Sequence, residues 1–480
     1  MDKIWESHKN NPYLSGDYAP VSKELNFPWD QLEVVGEIPS EISGCYFRNG
    51  PNPMFPPKGR HHWFDGDGMV HGLKISDGKA SYLNRWVTTR GLTEERKVGR
   101  YLWTGLIEPD LSHPVSPLKD SANTDLIFHK GRLFATWYNS GAVYELDPDT
   151  LKILGVADFQ RTQKIPVASH PKADEKTGHV MLFNLLPTYP YMNYMVVDQH
   201  WNLIHQVPVE LPGVRFSHDI AFTDNFTILF DFPVVLNPQA LKSGKWRMDF
   251  NRDLPSRIGI IPRFGQAEDI RWFEGRSGYS YHVINAWEEG RKVILTGCFT
   301  PEPVRERLPG ESELDRMLKN LQVKACLYRW EMDLESGALT ESIIDDLNTE
   351  FPMINNAYQG QKNSFAYLMH LAEEKTLLFD GLIKYDIHTG VKKEYYFEKG
   401  LYCSEAPYVP GQISGSEDGG YLVTFVTGAK LKGSEAWIFS AENPDAGPVA
   451  RIKIPARIPL GFHSCWADDP QAGGKMPGIH

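Results

Sequence analysis

The chain has 480 residues, a formal net charge of −11 and a pI near 5.8, with no cluster of lysines or arginines. An acidic chain without such a cluster argues against a nucleic-acid binder, which would show a basic face, and the length is ample for a well-buried core, including the all-β architectures that run long as one unit. With 13 Trp, 21 Tyr and 24 Phe the chain is aromatic-rich, and its five cysteines (Cys45, Cys298, Cys326, Cys403 and Cys465) are scattered without a CxxC pair, which argues against a disulfide scaffold or zinc ribbon and fits a reducing cytoplasm.

Residues 1–10 show no apolar stretch of the kind a signal peptide needs, and no run reaches the roughly 18 apolar residues that span a bilayer. A soluble protein, or one that lies on a membrane, is expected. From about residue 40 onward a period-two pattern dominates, short β-rich runs alternating with turn residues. Residues 72–80 read as a hairpin closed by Asp77-Gly78, and residues 132–138 as a strand. Turns built on an aspartate recur at Asp147-Pro148-Asp149-Thr150, Asp174-Glu175-Lys176-Thr177, Asp333-Leu334-Glu335-Ser336 and Asp386-Ile387-His388-Thr389. Their repetition suggests the blades of a β-propeller more than a single sandwich. The one convincing helix covers residues 311–321, where Leu314, Met317, Leu318 and Leu321 share a stripe. No flexible linker divides the chain, so residues 1–480 read as one domain with a loosely ordered N-terminal arm and C-terminal tail.

Four histidines stand in apolar, strand-like settings: His170 in Ala168-Ser169-His170-Pro171, His218 in Phe216-Ser217-His218-Asp219, His282 in Tyr281-His282-Val283-Ile284, and His463 in Leu460-Gly461-Phe462-His463. A ring in such a place needs partners for its nitrogens. Singly, each is a turn or core histidine. As a set they suit one shared metal ion, since imidazole serves iron, copper, zinc and nickel, and a propeller delivers residues far apart in sequence to one axis. His8, His61, His62, His71, His113, His129 and His388 lie among polar or turn residues and read as ordinary surface or satisfied core residues. Four neutral ligands leave a cation's charge uncompensated, which carboxylates on the far ring nitrogens would correct. Glu350 and Glu405, each heading an apolar segment that contains proline, are the candidates, weighed evenly against surface loop positions.

At this point the sequence resembles the carotenoid cleavage oxygenases across nearly its whole length. The motifs follow that family's order: Phe47-Arg48-Asn49-Gly50-Pro51, Phe64-Asp65-Gly66-Asp67-Gly68, Ala122-Asn123-Thr124, Ser169-His170-Pro171-Lys172, His218-Asp219, Arg257-Ile258-Gly259 with Arg271-Trp272-Phe273, Asn285-Ala286-Trp287-Glu288-Glu289 and Gly461-Phe462-His463. The resemblance implies an all-β, seven-bladed β-propeller, with a few short helices and loops capping an axial Fe(2+) held by His170, His218, His282 and His463. It also implies three glutamates behind the ligands. Two map onto Glu350 and Glu405; the place of the third is taken by Tyr138. That leaves His170 either with a phenol for its partner or bonded elsewhere.

The implied reaction splits a carbon–carbon double bond with molecular oxygen into two carbonyl products, and the lack of a nucleophile motif is consistent with it. Apolar substrates need an aromatic-lined tunnel, for which Phe64, Tyr101, Trp137 and Tyr138 are candidates. Carotenoids or apocarotenoids are the expected substrates, with stilbenoids and phenylpropanoids as the alternative: the Lys-Glu pair and Tyr-Arg-Asn-Pro stretch of stilbene cleavers are absent here. A non-enzymatic interaction platform and a zinc or calcium lactonase-type propeller remain as further readings; the latter would favour carboxylate ligands. Residues 232–238 and 101–111 are candidates for a peripheral membrane contact, weighed against a buried strand end and a loop.

Overall fold

The computed structural model describes residues 8, 10–160, 164–243, 247–411 and 416–468. Among them the chain is mostly β-strand with few helices. Four sheets are antiparallel four-strand meanders in sequence order, running from Leu126–His129 to Ile153–Val156, from Lys172–Ala173 to Leu203–Glu210, from Ala221–Phe222 to Arg271–Gly275 and from Tyr279–Glu289 to Leu339–Asp345. A ten-stranded sheet carries the chain from Thr349–Met353 to Pro448–Ile454 and takes in the early strand Glu33–Gly36. A five-stranded sheet pairs Gly44–Arg48 with the last described strand, Ser464–Asp468.

Local chemistry explains the turns. The Asp77-Gly78 hairpin has positive φ at both central residues, 49° and 70°, and joins Ser76 to Lys79 across a two-residue loop, as a primed turn requires. Strand Lys79–Trp86 then alternates, with Ala80, Tyr82, Asn84 and Trp86 buried. At the aspartate turns, Asp147, Asp174, Asp333 and Asp386 each accept hydrogen bonds from the two amides two and three residues on, a local replacement for backbone pairing. Each turn closes a pair of antiparallel strands, as expected.

Apolar packing lies between neighbouring sheets. Met181 and Tyr194 pack with Leu229 and Ile261 of the next sheet, and Ile284, Trp287 and Cys298 with Leu368 and Ile383. The helix over residues 311–321 is present as Glu313–Leu321, capped by Ser312. A second, Arg90–Val98, was not expected: its charged sequence hides it, although Thr89 caps it and Gly99 ends it at φ 70°, both standard boundary signals. The N-terminal arm is also tighter than expected. Tyr13 and Tyr18 are buried against Trp63, with ring centroids 4.7–5.3 Å apart, and the Asp17 carbonyl accepts from the Leu460 amide at 3.1 Å. The expected tail, residues 469–480, lies outside the described residues.

No described helix is long and apolar enough to cross a membrane. In the two segments considered for membrane contact, Phe232, Pro233 and Val234 are buried and Leu106, Ile107 and Pro109 line a cavity, while Leu111 is exposed.

Candidate metal centre

Seven residues come from seven different strands or the three residues preceding them: Asp125, His170, His218, His282, Glu350, Glu405 and His463. Backbone irregularities aim several of them. His170 has a left-handed φ of 59° ahead of Pro171, a conformation that persists in a non-glycine residue only where its surroundings over-determine it. His282 lies within the first of two successive register shifts in the pairing of Tyr279–Glu289 with Lys292–Thr300, with Val283 between them, and such bulges re-aim side chains beside sites. Opposite it stands Gly297, where a Cβ would lie 3.2 Å from the Val283 Cα and 3.3 Å from the His282 carbonyl oxygen.

The four imidazoles converge. One nitrogen of each lies within 4.8 Å of the others, and all four residues are buried. The Nε2 atoms of His170 and His218 are 3.1 Å apart. The far nitrogens are held from outside: His282 Nδ1 by Glu350 at 2.6 Å, His463 Nδ1 by Glu405 at 3.1 Å, and His218 Nδ1 by the Ser169 hydroxyl at 3.3 Å. His170 Nδ1 meets Asp125 Oδ2 at 2.8 Å. Tyr138 makes no hydrogen bond to His170 among the described residues, so a carboxylate does back this ring and comes from Asp125, a residue missed in the sequence although it directly follows Ala122-Asn123-Thr124. Asp219 pins two histidine-bearing segments together, accepting from the Val283 amide at 3.0 Å and from Lys172 Nζ at 2.8 Å.

The electrostatics suit a cation. Burial, then mutual repulsion among the rings, holds His170 and His282 well below the usual histidine range, and burial first of all holds His218 down to about 3. These rings are therefore neutral donors. At His463 burial also lowers the pKa, but the charge and hydrogen bond of Glu405 outweigh it and the net shift is upward. Burial pushes Asp125 up to about 6 and Glu350 well above the carboxylate range; a nearby cation would reverse that. His282 Nε2 is buried without a hydrogen-bond partner, an orphan that a metal ion would satisfy. Neutral imidazoles on the inside with carboxylates behind them are a donor set that could hold a divalent metal.

The centre opens on a cavity of about 580 Å³, within the usual range of about 300–1,000 Å³ for small-molecule sites. His218, His282 and His463 reach its wall beside Phe64, Tyr138 and Phe462. Phe351 stacks on His463 at 4.5 Å and 15°. Of the four tunnel candidates, Phe64 and Tyr138 face the cavity, 5.3 Å from each other. Tyr101 and Trp137 are not at its wall. Tyr101 donates to the Asp65 carbonyl and carries the Lys119 ammonium 3.8 Å over its ring, while Trp137 packs behind Tyr138. The histidines read as ordinary include buried ones with partners: His71 meets Tyr82 Oη at 2.8 Å, and His129 meets Glu175 at 3.0 Å.

A strand-built, carboxylate-backed centre of four imidazoles beneath an apolar cavity defines a candidate non-haem metal enzyme. The family described as retinal pigment epithelial membrane protein (RPE65) matches residues 18–468. A carotenoid 9,10(9',10')-cleavage dioxygenase of Crocus sativus is 33% identical, covering 96% of this chain and 89% of that one. An isoeugenol monooxygenase of Pseudomonas nitroreducens is 31% identical, covering 96% and 99%. Among solved structures, the Pseudomonas brassicacearum lignostilbene dioxygenase superposes with a TM-score of 0.85 at 27% identity, covering 95% of this chain and 98% of that one. The chain belongs to the RPE65/carotenoid cleavage oxygenase family and is an oxidoreductase.

Proposed function

We propose that the protein is an iron(II) dioxygenase that cleaves a carbon–carbon double bond of a carotenoid or apocarotenoid. The observation that carries this reading is the set of four buried imidazoles opening on an apolar cavity. His170, His218, His282 and His463 would hold the iron, which when bound supplies the binding and activation of dioxygen. Asp125, Glu350 and Glu405 orient three of the rings and balance charge. Phe64, Tyr138, Phe351 and Phe462 exclude water and place one alkene bond beside the centre, a positioning task that needs no acid or base from the chain. The architecture in this reading is one domain of seven blades around a shared axis: the four meanders, the five-stranded sheet and the ten-stranded sheet counted as two. Each blade contributes one of the seven residues named above.

The second reading, cleavage of a stilbenoid or phenylpropanoid, is favoured by the likeness to the lignostilbene dioxygenase and the isoeugenol monooxygenase. The pair Trp137-Tyr138, standing where stilbene cleavers have Lys-Glu, favours the first. Iron-loaded protein is to be incubated in air with an apocarotenal and, separately, with resveratrol, and the product aldehydes followed. Apocarotenal cleavage is expected; turnover of the stilbene alone overturns the preference. Metal analysis of His282→Ala tests the centre itself: iron content is expected to fall well below one per chain, and stoichiometric iron in that variant sinks the assignment.

A further inference from the structure

Of the three arginines at the cavity wall, one has no ion-pair partner among the described residues. Helix Glu313–Leu321 turns Glu313, Arg316, Met317, Asn320 and Leu321 to the wall, a single face at helical spacing. The other charged side chains of the wall outside the metal centre are compensated. Arg215 meets Asp231 at 2.7 Å, Arg247 meets Asp249 at 2.9 Å, and Glu313 meets Arg307 at 2.6 Å. Arg316 has no carboxylate partner among the described residues, and its Nη1 is buried with no hydrogen-bond acceptor. A guanidinium carries five donors and no acceptor and does not lose its proton. Arg316 is half-buried, and a buried Nη1 without an acceptor at the wall of a mostly apolar cavity is a costly donor unless a ligand completes it. Its helix is firmly seated: Ser312 caps the Asp315 amide at 3.0 Å, and Met317 and Leu321 belong to the main core cluster.

We propose that Arg316, with Asn320 one turn further on, is a subsite for an acceptor oxygen at one end of the substrate. That oxygen belongs to a carbonyl, a carboxylate or a phenol, and the chain therefore selects conjugated molecules with an oxygenated end group over bare hydrocarbons of the same length. This rests on the oxygenase reading only for the identity of the reaction. Binding to the subsite is independent of turnover. An apocarotenal and a hydroxylated stilbene share the required chemistry, and the two arms of the experiment separate them.

Iron-loaded protein under argon, where no dioxygen is present for turnover, is titrated with two matched pairs: an apocarotenal against its terminal hydrocarbon, and a para-hydroxystilbene against trans-stilbene. Ligand binding is read by quenching of tryptophan fluorescence. A hydrogen bond to a charged donor predicts that the oxygenated member of at least one pair binds about 10- to 100-fold tighter, and the pair that shows it names the substrate class. Arg316→Met is expected to remove most of that preference while hydrocarbon affinity, iron content and circular dichroism stay as in the parent; Arg316→Lys is expected to restore part of it. Equal affinity within both pairs in the parent protein overturns the proposal. So does a preference that survives in folded Arg316→Met, with Arg316→Gln as the second variant if the first does not fold. A preference lost in Arg316→Met alongside no aldehyde formation in air would refute the oxygenase reading and leave the subsite standing.

Discussion

Asp125 offers the sharpest test of how the centre is held. Its carboxylate takes the Nδ1 hydrogen of His170 at 2.8 Å, with both side chains largely buried, which fixes the tautomer and turns the Nε2 lone pair inward. His170 is also the candidate ligand with a left-handed backbone, so it has the least slack if its ring is released. Losing such an outer partner typically weakens metal affinity about 10- to 100-fold, roughly 1.4–2.7 kcal/mol. Burial and the charge-assisted bond place Asp125→Ala toward the upper part of that range. Asp125→Asn keeps an acceptor oxygen but not the charge, and should fall between Ala and the parent. Chelator-competition titration of ferrous ion under argon measures this, with circular dichroism as the check on folding. Tyr138→Phe is the companion variant: its hydroxyl does not bond His170 among the described residues, so its affinity should match the parent. Parent-like affinity in Asp125→Ala, or a tenfold loss in Tyr138→Phe, would refute the reasoning.

Lys119 lies buried between Asp67 and Glu95, 2.8 Å from each. Lys119→Met should cost about 3–5 kcal/mol in urea denaturation, because it strands two buried carboxylates; a loss below about 1 kcal/mol contradicts the role assigned to this triad. Burial pushes the Asp65 carboxyl up from the usual 3.8 to about 7. The unfolded chain therefore releases this proton first, so the contribution is fully present below pH 3.8 and is lost as pH rises through about 7. Between pH 5 and 8 the Tm of the parent should fall more steeply than that of Asp65→Asn, as read by scanning calorimetry; parallel curves would remove Asp65 from the account.

What the sequence discloses here is local or collective. The aspartate turns are legible because each side chain bonds amides only two and three residues away. The four histidines are legible because each sits in an apolar strand context where a lone imidazole is out of place. Asp125 is not, since its partner lies 45 residues on and nothing between Thr124 and Leu126 marks the direction of its side chain. The aromatic candidates divide because strand Arg132–Ala135 ends before Trp137 and Tyr138, so no period-two pattern marks which of the two faces the cavity. Helix Arg90–Val98 is masked by a charge-rich sequence, Glu94-Glu95-Arg96-Lys97, with Gly91 near its start, and the arm at Tyr13 and Tyr18 by a polar stretch whose anchor, Trp63, is remote in sequence.

The pairing of Gly44–Arg48 with Ser464–Asp468 sets an order of events during biosynthesis. While the polypeptide is still being made, the strand at 44–48 has a bare edge and the pocket has three rings at most, because the fourth arrives beside the strand that covers that edge. A complete set of four rings therefore waits for residue 463 to emerge, and the nascent molecule must keep an open sheet edge and an apolar hollow from sticking to others until that segment is delivered. Cutting the chain before residue 463 would take away a candidate ligand and a seam together, so such truncations should yield aggregates instead of a metal-free but folded protein.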